Sequence, residues 1–85
     1  MNRWFVYMVE CADGSLYTGI TTDLARRLRE HNSGATKTGA KYTRAKQPVT
    51  LVYQEPVDSR SAATRRELAI KSLKRNDKLK LLTPG

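Results

Sequence analysis

The chain contains one cysteine and only eight acidic residues among its 85 positions. Cys11 therefore has no partner for an internal disulfide or a multi-cysteine zinc site, and we expect it to be a small apolar strand residue. No apolar run approaches the roughly 20 residues that a membrane span requires, and the N-terminus lacks the pattern of a secretion signal. These absences favour a cytoplasmic protein with no membrane partner.

Repeats, linkers and low-complexity tracts are also missing, and the length suits one domain covering residues 1–85. A domain of this size has a small core, so a large enclosed substrate cavity is not expected. We expect any active site to be an open, shallow groove that accepts a large partner.

The scarcity of acidic residues leaves a strong positive charge. Sixteen Lys and Arg against eight Asp and Glu give a formal net charge of +8. Such a charge on a small body attracts polyanions, so nucleic acid is the first candidate partner. The alternative is a well-solvated basic surface that contributes only to solubility.

Three apolar segments predict β-strands. Residues 4–11 are rich in aromatic and β-branched side chains and end at the turn signal "ADG", after which residues 15–20 form the return strand. A third strand is predicted at residues 49–55, bounded by Pro48 and Pro56. The first two strands form an antiparallel hairpin.

Helical patterns follow the second and third strands. Capping residues Thr22 and Asp23 begin a helix of about three turns that stops at residues 32–34. A longer helix is predicted from Ser59 to about Arg75, with a short helix in the tail after it. The order β-β-α-β-α indicates an α/β (α+β) domain with a three-stranded sheet flanked by helices.

A basic segment without clear periodicity lies between the first helix and the third strand, at residues 35–48. We interpret it mainly as a loop that binds nucleic acid through its four cations, Lys37, Lys41, Arg44 and Lys46.

The length of the hairpin turn decides whether Tyr7 and Tyr17 can share a site. With a two-residue turn, Tyr7 lies opposite Ile20 and the two tyrosines fall on opposite faces of the sheet. With a three-residue turn and Gly14 in the left-handed conformation, Tyr7 lies opposite Gly19 and both rings rise from one face, with space above Gly19.

The two tyrosines lie in the tripeptides "VYM" at residues 6–8 and "YTG" at residues 17–19. These tripeptides, ten residues apart from tyrosine to tyrosine, resemble the paired motifs of the GIY-YIG nuclease superfamily. Val6, Met8 and Thr18 depart from the family letters. The resemblance covers nearly the whole chain and is strongest to small stand-alone bacterial members.

Further positions match the family pattern. The family places a helix arginine ten residues after the second tyrosine and a histidine or tyrosine four further on; here these are Arg27 and His31. Glu67 stands where the family's metal-binding carboxylate is expected. The late asparagine of several family enzymes is matched only by Asn76.

The residues themselves support a shared site, but alternatives remain open. Arg27 and His31 are four apart and share a helix face. Alternatively, Arg27 is one of three arginines on a solvated helix and His31 is a polar residue near its C-terminus, where the dipole favours a cation. Glu67 could equally form a weak surface ion pair with Lys71 at i+4. As a ligand, its single carboxylate suits Mg²⁺, which usually keeps several waters.

A tyrosine base requires its pKa to fall from about 10 to near 7, which costs roughly 4 kcal/mol. One positive charge about 4 Å away contributes about 4 kcal/mol at an effective dielectric of 20. Arg27 or a metal ion could therefore supply this change in pKa.

The resemblance implies a metal-dependent nuclease that hydrolyses DNA phosphodiester bonds, in repair or recombination. It implies that Tyr7 or Tyr17, with Tyr7 favoured, deprotonates water, and that Arg27 stabilises phosphate charge. His31 would assist a tyrosine, and Glu67 would hold Mg²⁺ or Mn²⁺. The rival interpretations are a nucleic-acid-binding module with little or partner-dependent cleavage, and a basic protein that binds structured RNA or an acidic protein. Monomer or weak dimer, and a protein partner that supplies specificity, are further expectations.

Overall fold

A computed structural model of the protein describes residues 3–33 and 48–82. Strands β1 (Trp4–Glu10) and β2 (Leu16–Thr21) are followed by helix α1 (Leu24–Ser33). Strand β3 (Thr50–Val57) then leads to helices α2 (Arg60–Lys71) and α3 (Arg75–Leu82). The predicted fold class and order of elements are confirmed, and the tail forms the predicted short helix. The cations at 37, 41, 44 and 46 lie outside the described residues.

The sheet has the order β2-β1-β3 with both pairs antiparallel, so β1 is central. The prediction that the third strand ends before Pro56 is wrong. β3 continues through Pro56, which is exposed and pairs with Phe5. Proline is tolerated there because β3 is an edge strand, where a missing N–H need not interrupt the sheet.

Alternate side chains of β1 lie on opposite faces of the sheet. Val6 and Met8 pack with Ala63 and Ile70 of α2, and Leu81 and Leu82 of α3 lie against this cluster. Tyr7 and Val9 face the other way, in a cluster that includes Leu24 and Leu28 of α1. The sheet therefore lies between α1 on one face and the two C-terminal helices on the other.

The predicted second helix is interrupted at Ser72. The Ser72 hydroxyl donates to the Ala69 carbonyl, and the Leu73 N–H bonds to the Ile70 carbonyl three residues back, which tightens the last turn. The chain then turns and begins α3 at Arg75. This break allows the apolar residues at the end of α3 to return to the core. In residues 3–33 and 48–82, no helix is long and apolar enough to cross a membrane.

Candidate active site

The hairpin adopts the three-residue turn. Cys11 N–H donates to the Ser15 carbonyl at 2.8 Å, Gly14 N–H donates to the Cys11 carbonyl at 2.9 Å, and Gly14 has φ of 85°. Glycine is suited to this position because a Cβ disfavours the left-handed region. The resulting register pairs Tyr7 with Gly19 and confirms the prediction of a shared face.

The Tyr7 and Tyr17 rings lie on this face with their centroids 6.4 Å apart. The Tyr7 ring crosses directly over Gly19, where a Cβ would lie 2.6 Å from the Tyr7 hydroxyl oxygen. The space expected above Gly19 is thus filled by Tyr7 itself. Any side chain larger than hydrogen at this position would displace the phenol.

Helix α1 supplies the next two groups. Asp23 caps its first turn, accepting a hydrogen bond from Arg26 N–H at 3.0 Å. One helical turn apart, Arg27 and His31 both reach Tyr7 from this helix. The Tyr7 hydroxyl oxygen lies 3.3 Å from Arg27 Nε and 2.8 Å from His31 Nε2.

The direction of these hydrogen bonds follows from the donors available. The Arg27 N–H can only donate, so the Tyr7 oxygen accepts from it. We assign His31 Nε2 as the acceptor of the phenolic proton, which leaves the His31 proton on Nδ1. The three groups thus form a chain from guanidinium to phenol to imidazole. The Tyr17 ring closes one side of this chain, with its centroid 5.2 Å from that of His31.

Burial controls the protonation of the chain. It raises the pKa of Tyr7 to about 12, although the hydrogen bond and positive charge of Arg27 act to lower that pKa. Burial, and then the charge of Arg27, lowers the pKa of His31 to about 4. Both groups are neutral at pH 7. Of the two sources predicted for a Tyr7 pKa near 7, Arg27 or a metal ion, Arg27 is in place here and that pKa is nevertheless raised.

Arg27 is shared between the phenol and a carboxylate that the sequence motifs do not include. Its Nη1 lies 3.0 Å from Glu30 Oε1, which steers the guanidinium while Nε faces Tyr7. A glutamate three residues after an arginine on a helix is a detectable signal for this pair. The side chain of Arg27 is 22 % exposed, so part of it reaches the protein surface.

Glu67 lies on α2, the helix that packs against the opposite face of the sheet from α1. Its side chain is 18 % exposed, and its charge contributes to the raised pKa of Tyr7. The next residue back, Arg66, donates to Glu55 Oε1 of β3 at 3.1 Å, which helps fix the rotation of the helix. The alternative predicted for Glu67 is also observed, because Lys71 Nζ lies 3.1 Å from its Oε2.

The donor set indicates which kind of metal site is feasible. In the part of the chain that the structure describes, no group of three or more His, Cys, Asp or Glu residues could hold a metal ion. A single carboxylate beside an open groove nevertheless fits a hard cation such as Mg²⁺, which takes its other ligands from water and substrate phosphate. Glu67 is the residue that would hold it.

Two asparagines, Asn76 and Asn32, lie near the ends of helices outside the chain of Arg27, Tyr7 and His31. Asn76 is exposed in the first turn of α3, so its match to the family asparagine stays a prediction. Asn32 is predicted from the sequence only as part of a helix stop. Its side chain donates to the Val49 carbonyl at 3.1 Å and accepts from the Val49 N–H at 2.7 Å, which anchors the end of α1 beside His31. Nothing in the sequence indicates this long-range pairing.

The geometry brings Tyr7, Tyr17, Arg27 and His31 together on an α/β scaffold, and comparison with known proteins identifies the family of the chain. A family model described as the GIY-YIG catalytic domain matches residues 3–80. The chain therefore belongs to the GIY-YIG family, whose members are nucleases and in general metal-dependent.

Relatives of known sequence are small proteins called UPF0213 proteins. The one from Staphylococcus saprophyticus is 48% identical over 85 residues, covering 100% of both chains. The one from Desulfotalea psychrophila is 63% identical over 70 residues, which are 82% of this chain but 62% of that protein. This chain thus spans less than two thirds of the Desulfotalea relative.

Two solution NMR structures share the fold at 44% sequence identity. A protein from E. faecalis superposes with a TM-score of 0.65, covering 96% of this chain and 84% of that chain. The UPF0213 protein from Bacillus halodurans gives a TM-score of 0.59, covering 94% and 82%. Both support the assignment of the fold.

Proposed function

We propose that this chain hydrolyses DNA phosphodiester bonds with the help of Mg²⁺ or Mn²⁺. The observation that carries the proposal is the Tyr7 hydroxyl, held between Arg27 Nε at 3.3 Å and His31 Nε2 at 2.8 Å. A buried phenol with a cation on one side and a neutral imidazole on the other is arranged for proton transfer. Such an arrangement is not needed for packing alone.

Each residue has a role consistent with its contacts. Tyr7 takes a proton from the attacking water once it has lost its own proton to solvent, and His31 Nε2 orients its hydroxyl. Arg27, partly exposed and oriented by Glu30, stabilises the charge that develops on the phosphate. Tyr17 is the alternative base, because its ring lines the open groove beside the site.

Because Tyr7 and His31 are both neutral in the free protein, catalysis requires additional positive charge that stabilises the Tyr7 phenolate. With the pKa of Tyr7 at about 12 and that of His31 at about 4, the proton stays on the phenol at rest. A divalent cation at Glu67 would supply positive charge that favours an anionic oxygen nearby and polarises the phosphate. The Arg27 guanidinium already acts in the same direction.

A second candidate function is a nucleic-acid-binding module with little cleavage of its own. It is favoured by the raised pKa of Tyr7 and by the ion pair that occupies Glu67. Under this interpretation, the +8 charge binds DNA and a protein partner supplies specificity or completes catalysis.

The finer features of the function are proposed on the same basis. The groove lined by Tyr17 is open, which suits branched or single-stranded DNA of the kind formed in repair and recombination. We propose that the protein acts in the cytoplasm, as a monomer or weak dimer.

The test is to incubate purified protein with labelled single-stranded, duplex and branched DNA, with and without Mg²⁺ or Mn²⁺. Cleavage that needs the cation and disappears in Arg27→Ala supports the nuclease. Binding without cleavage of any substrate, at every cation concentration, would favour the binding module. Cleavage that persists in Arg27→Ala would assign the activity to another site or protein.

A further inference from the structure

Lys71 occupies a position that its weak ion pair alone does not explain. It lies one turn after Glu67 on α2, and it also lines an open groove of about 360 Å³ together with Leu16, Tyr17 and Thr18 of β2. The groove is at the lower end of the size range of small-ligand sites. Its Tyr17 wall belongs to the candidate active site.

The two side chains of the ion pair differ in how far they are exposed to solvent. The Glu67 side chain is 18 % exposed and carried by a helix that is fixed to the sheet, whereas the Lys71 side chain is 50 % exposed. A lysine ammonium is a compact charge on a flexible four-carbon stem, and exposed pairs of this kind are weak. Lys71 can therefore leave Glu67 at little cost while the carboxylate stays in place.

Charge determines when Lys71 leaves. Glu67 offers one carboxylate, and an ammonium 3.1 Å away would repel a divalent cation at the same oxygen atoms. Once the carboxylate is shared with a cation, the ammonium gains more from another anion within reach. The groove beside Tyr17, which Lys71 itself lines, is where such an anion would lie.

We propose that Lys71 is a phosphate-binding residue of the substrate strand, and that its ion pair with Glu67 is the resting contact from which cation and substrate release it. The bound strand then passes along the edge strand β2, with one backbone phosphate held in the Lys71 groove. This inference rests on the proposed function, because it assumes that Glu67 holds the cation and that the substrate is a polyphosphate chain.

The experiment compares Lys71→Met with Lys80→Met. Lys80 is a suitable control because it also forms a helical ion pair, with Asp77 at 3.6 Å, and is 79 % exposed. Both variants lose one charge and one weak pair, but only the first lies in the groove. Titration of MnCl₂, followed by water-proton relaxation with and without DNA, measures cation binding independently of activity.

For the DNA-free protein, Lys71→Met should bind Mn²⁺ about two- to fivefold more tightly than wild type, since a competing pair of ordinary surface strength is removed. Binding of a single-stranded oligonucleotide in Mn²⁺, measured in an Arg27→Ala background to limit cleavage, should weaken. Its salt slope should fall by about 0.7 unit for one lost phosphate contact. Lys80→Met should change neither quantity.

The outcomes separate this inference from the function on which it rests. If Glu67→Gln loses Mn²⁺ binding but Lys71→Met matches wild type in Mn²⁺ affinity and salt slope, the role of Lys71 is overturned and the metal site stands. If wild type and Lys71→Met both bind no Mn²⁺, with or without DNA, the metal in the proposed function is itself wrong. If Lys80→Met changes both quantities as much as Lys71→Met does, the effects come from the lower net charge alone, and the role of Lys71 is overturned.

Discussion

At the scale of single residues, the site depends on few atoms, and Glu67 gives the clearest separation of chemistry from folding. Glu67→Gln keeps the size and hydrogen-bonding capacity of the side chain but removes the charge that a cation needs. We expect folding to survive, cleavage in Mn²⁺ to be lost, and DNA binding to persist or tighten.

The matched control for Glu67→Gln is Glu10→Gln, which removes an equal charge from an exposed position at the end of β1. Cleavage by the two variants should be measured side by side with wild type, and circular dichroism should show that both are folded. Full activity in Glu67→Gln would contradict the assigned metal ligand.

Tyr7 predicts a characteristic dependence of cleavage on pH. Its pKa is raised to about 12, so below that pH the phenolate fraction grows tenfold for each pH unit gained. The single-turnover cleavage rate should therefore rise with pH between about 6 and 9, with a slope near one on a logarithmic scale. Tyr7→Phe should be inactive throughout, and a rise of equal slope in that variant would exclude Tyr7 as the titrating base.

The buried His31 predicts that the folded protein loses stability at acidic pH. It is fully buried, and its pKa falls from 6.5 unfolded to about 4 folded. Below pH 6.5 the unfolded chain takes up a proton that the folded chain refuses, so stability is present above pH 6.5 and is lost as the pH falls toward 4. The full contribution is about 3 kcal/mol.

Urea unfolding of wild type and His31→Gln at several pH values between 4 and 7 measures this contribution. The variant should be less stable at pH 7 but should lose less stability on acidification, because one titrating group is gone. Parallel pH profiles for the two proteins would show that His31 is not the group responsible.

At the scale of elements, the hairpin contains two glycines that are needed for different reasons. Gly14 requires freedom of the backbone at φ of 85°, and a Cβ added there would meet no atom within 4 Å, whereas Gly19 requires empty space beneath Tyr7. Gly14→Ala should cost roughly 1–2 kcal/mol of stability and spare cleavage. Gly19→Ala should cost roughly 1–3 kcal/mol and abolish cleavage by shifting the phenol.

Thermal unfolding and cleavage assays on this pair of variants test the distinction, each variant serving as the control for the other. If the two variants lose the same amount of stability and the same amount of activity, the two glycines are not needed for different reasons and the prediction is wrong. Retained activity in Gly19→Ala would show that the Tyr7 hydroxyl need not occupy its observed position.

The elements of the fold can be predicted from local signals, since strand alternation and helix caps are encoded within a few residues. The second helix is predicted too long because the break at Ser72 depends on packing of Leu81 and Leu82 against residues far away in sequence. The spacing of Tyr7, Tyr17 and Arg27 indicates a shared site. The pKa of Tyr7 cannot be predicted in this way, because it reflects competition between burial and a cation whose magnitudes depend on three-dimensional placement.

At the scale of the whole molecule, the +8 charge should govern affinity for DNA. We predict that Lys41→Ala combined with Arg44→Ala weakens binding about uniformly across DNA sequences. The salt slope should flatten by about one unit for each lost phosphate contact. Fluorescence anisotropy at several salt concentrations measures both effects.

A double variant of Lys78 and Lys80 in α3 is the control for this prediction, since it removes the same charge from another part of the molecule. The prediction requires a larger change in salt slope for the variants at 41 and 44. If the slope is unchanged by them, the DNA lies elsewhere, and the edge of the sheet along β2 becomes the stronger candidate.

The three-residue turn between β1 and β2 has a consequence for how this chain can evolve. Surface turns normally change length freely, because a longer loop adds little entropic cost. The length of this turn is different, because adding or removing one residue moves every side chain of β2 to the opposite face of the sheet. Deletion of one codon from the turn would turn Tyr17 toward α2 and α3 and turn Thr18 toward the site. Loss of one residue from an ordinary surface loop would have little effect. The length of this turn should therefore be inherited as strictly as the tyrosines themselves.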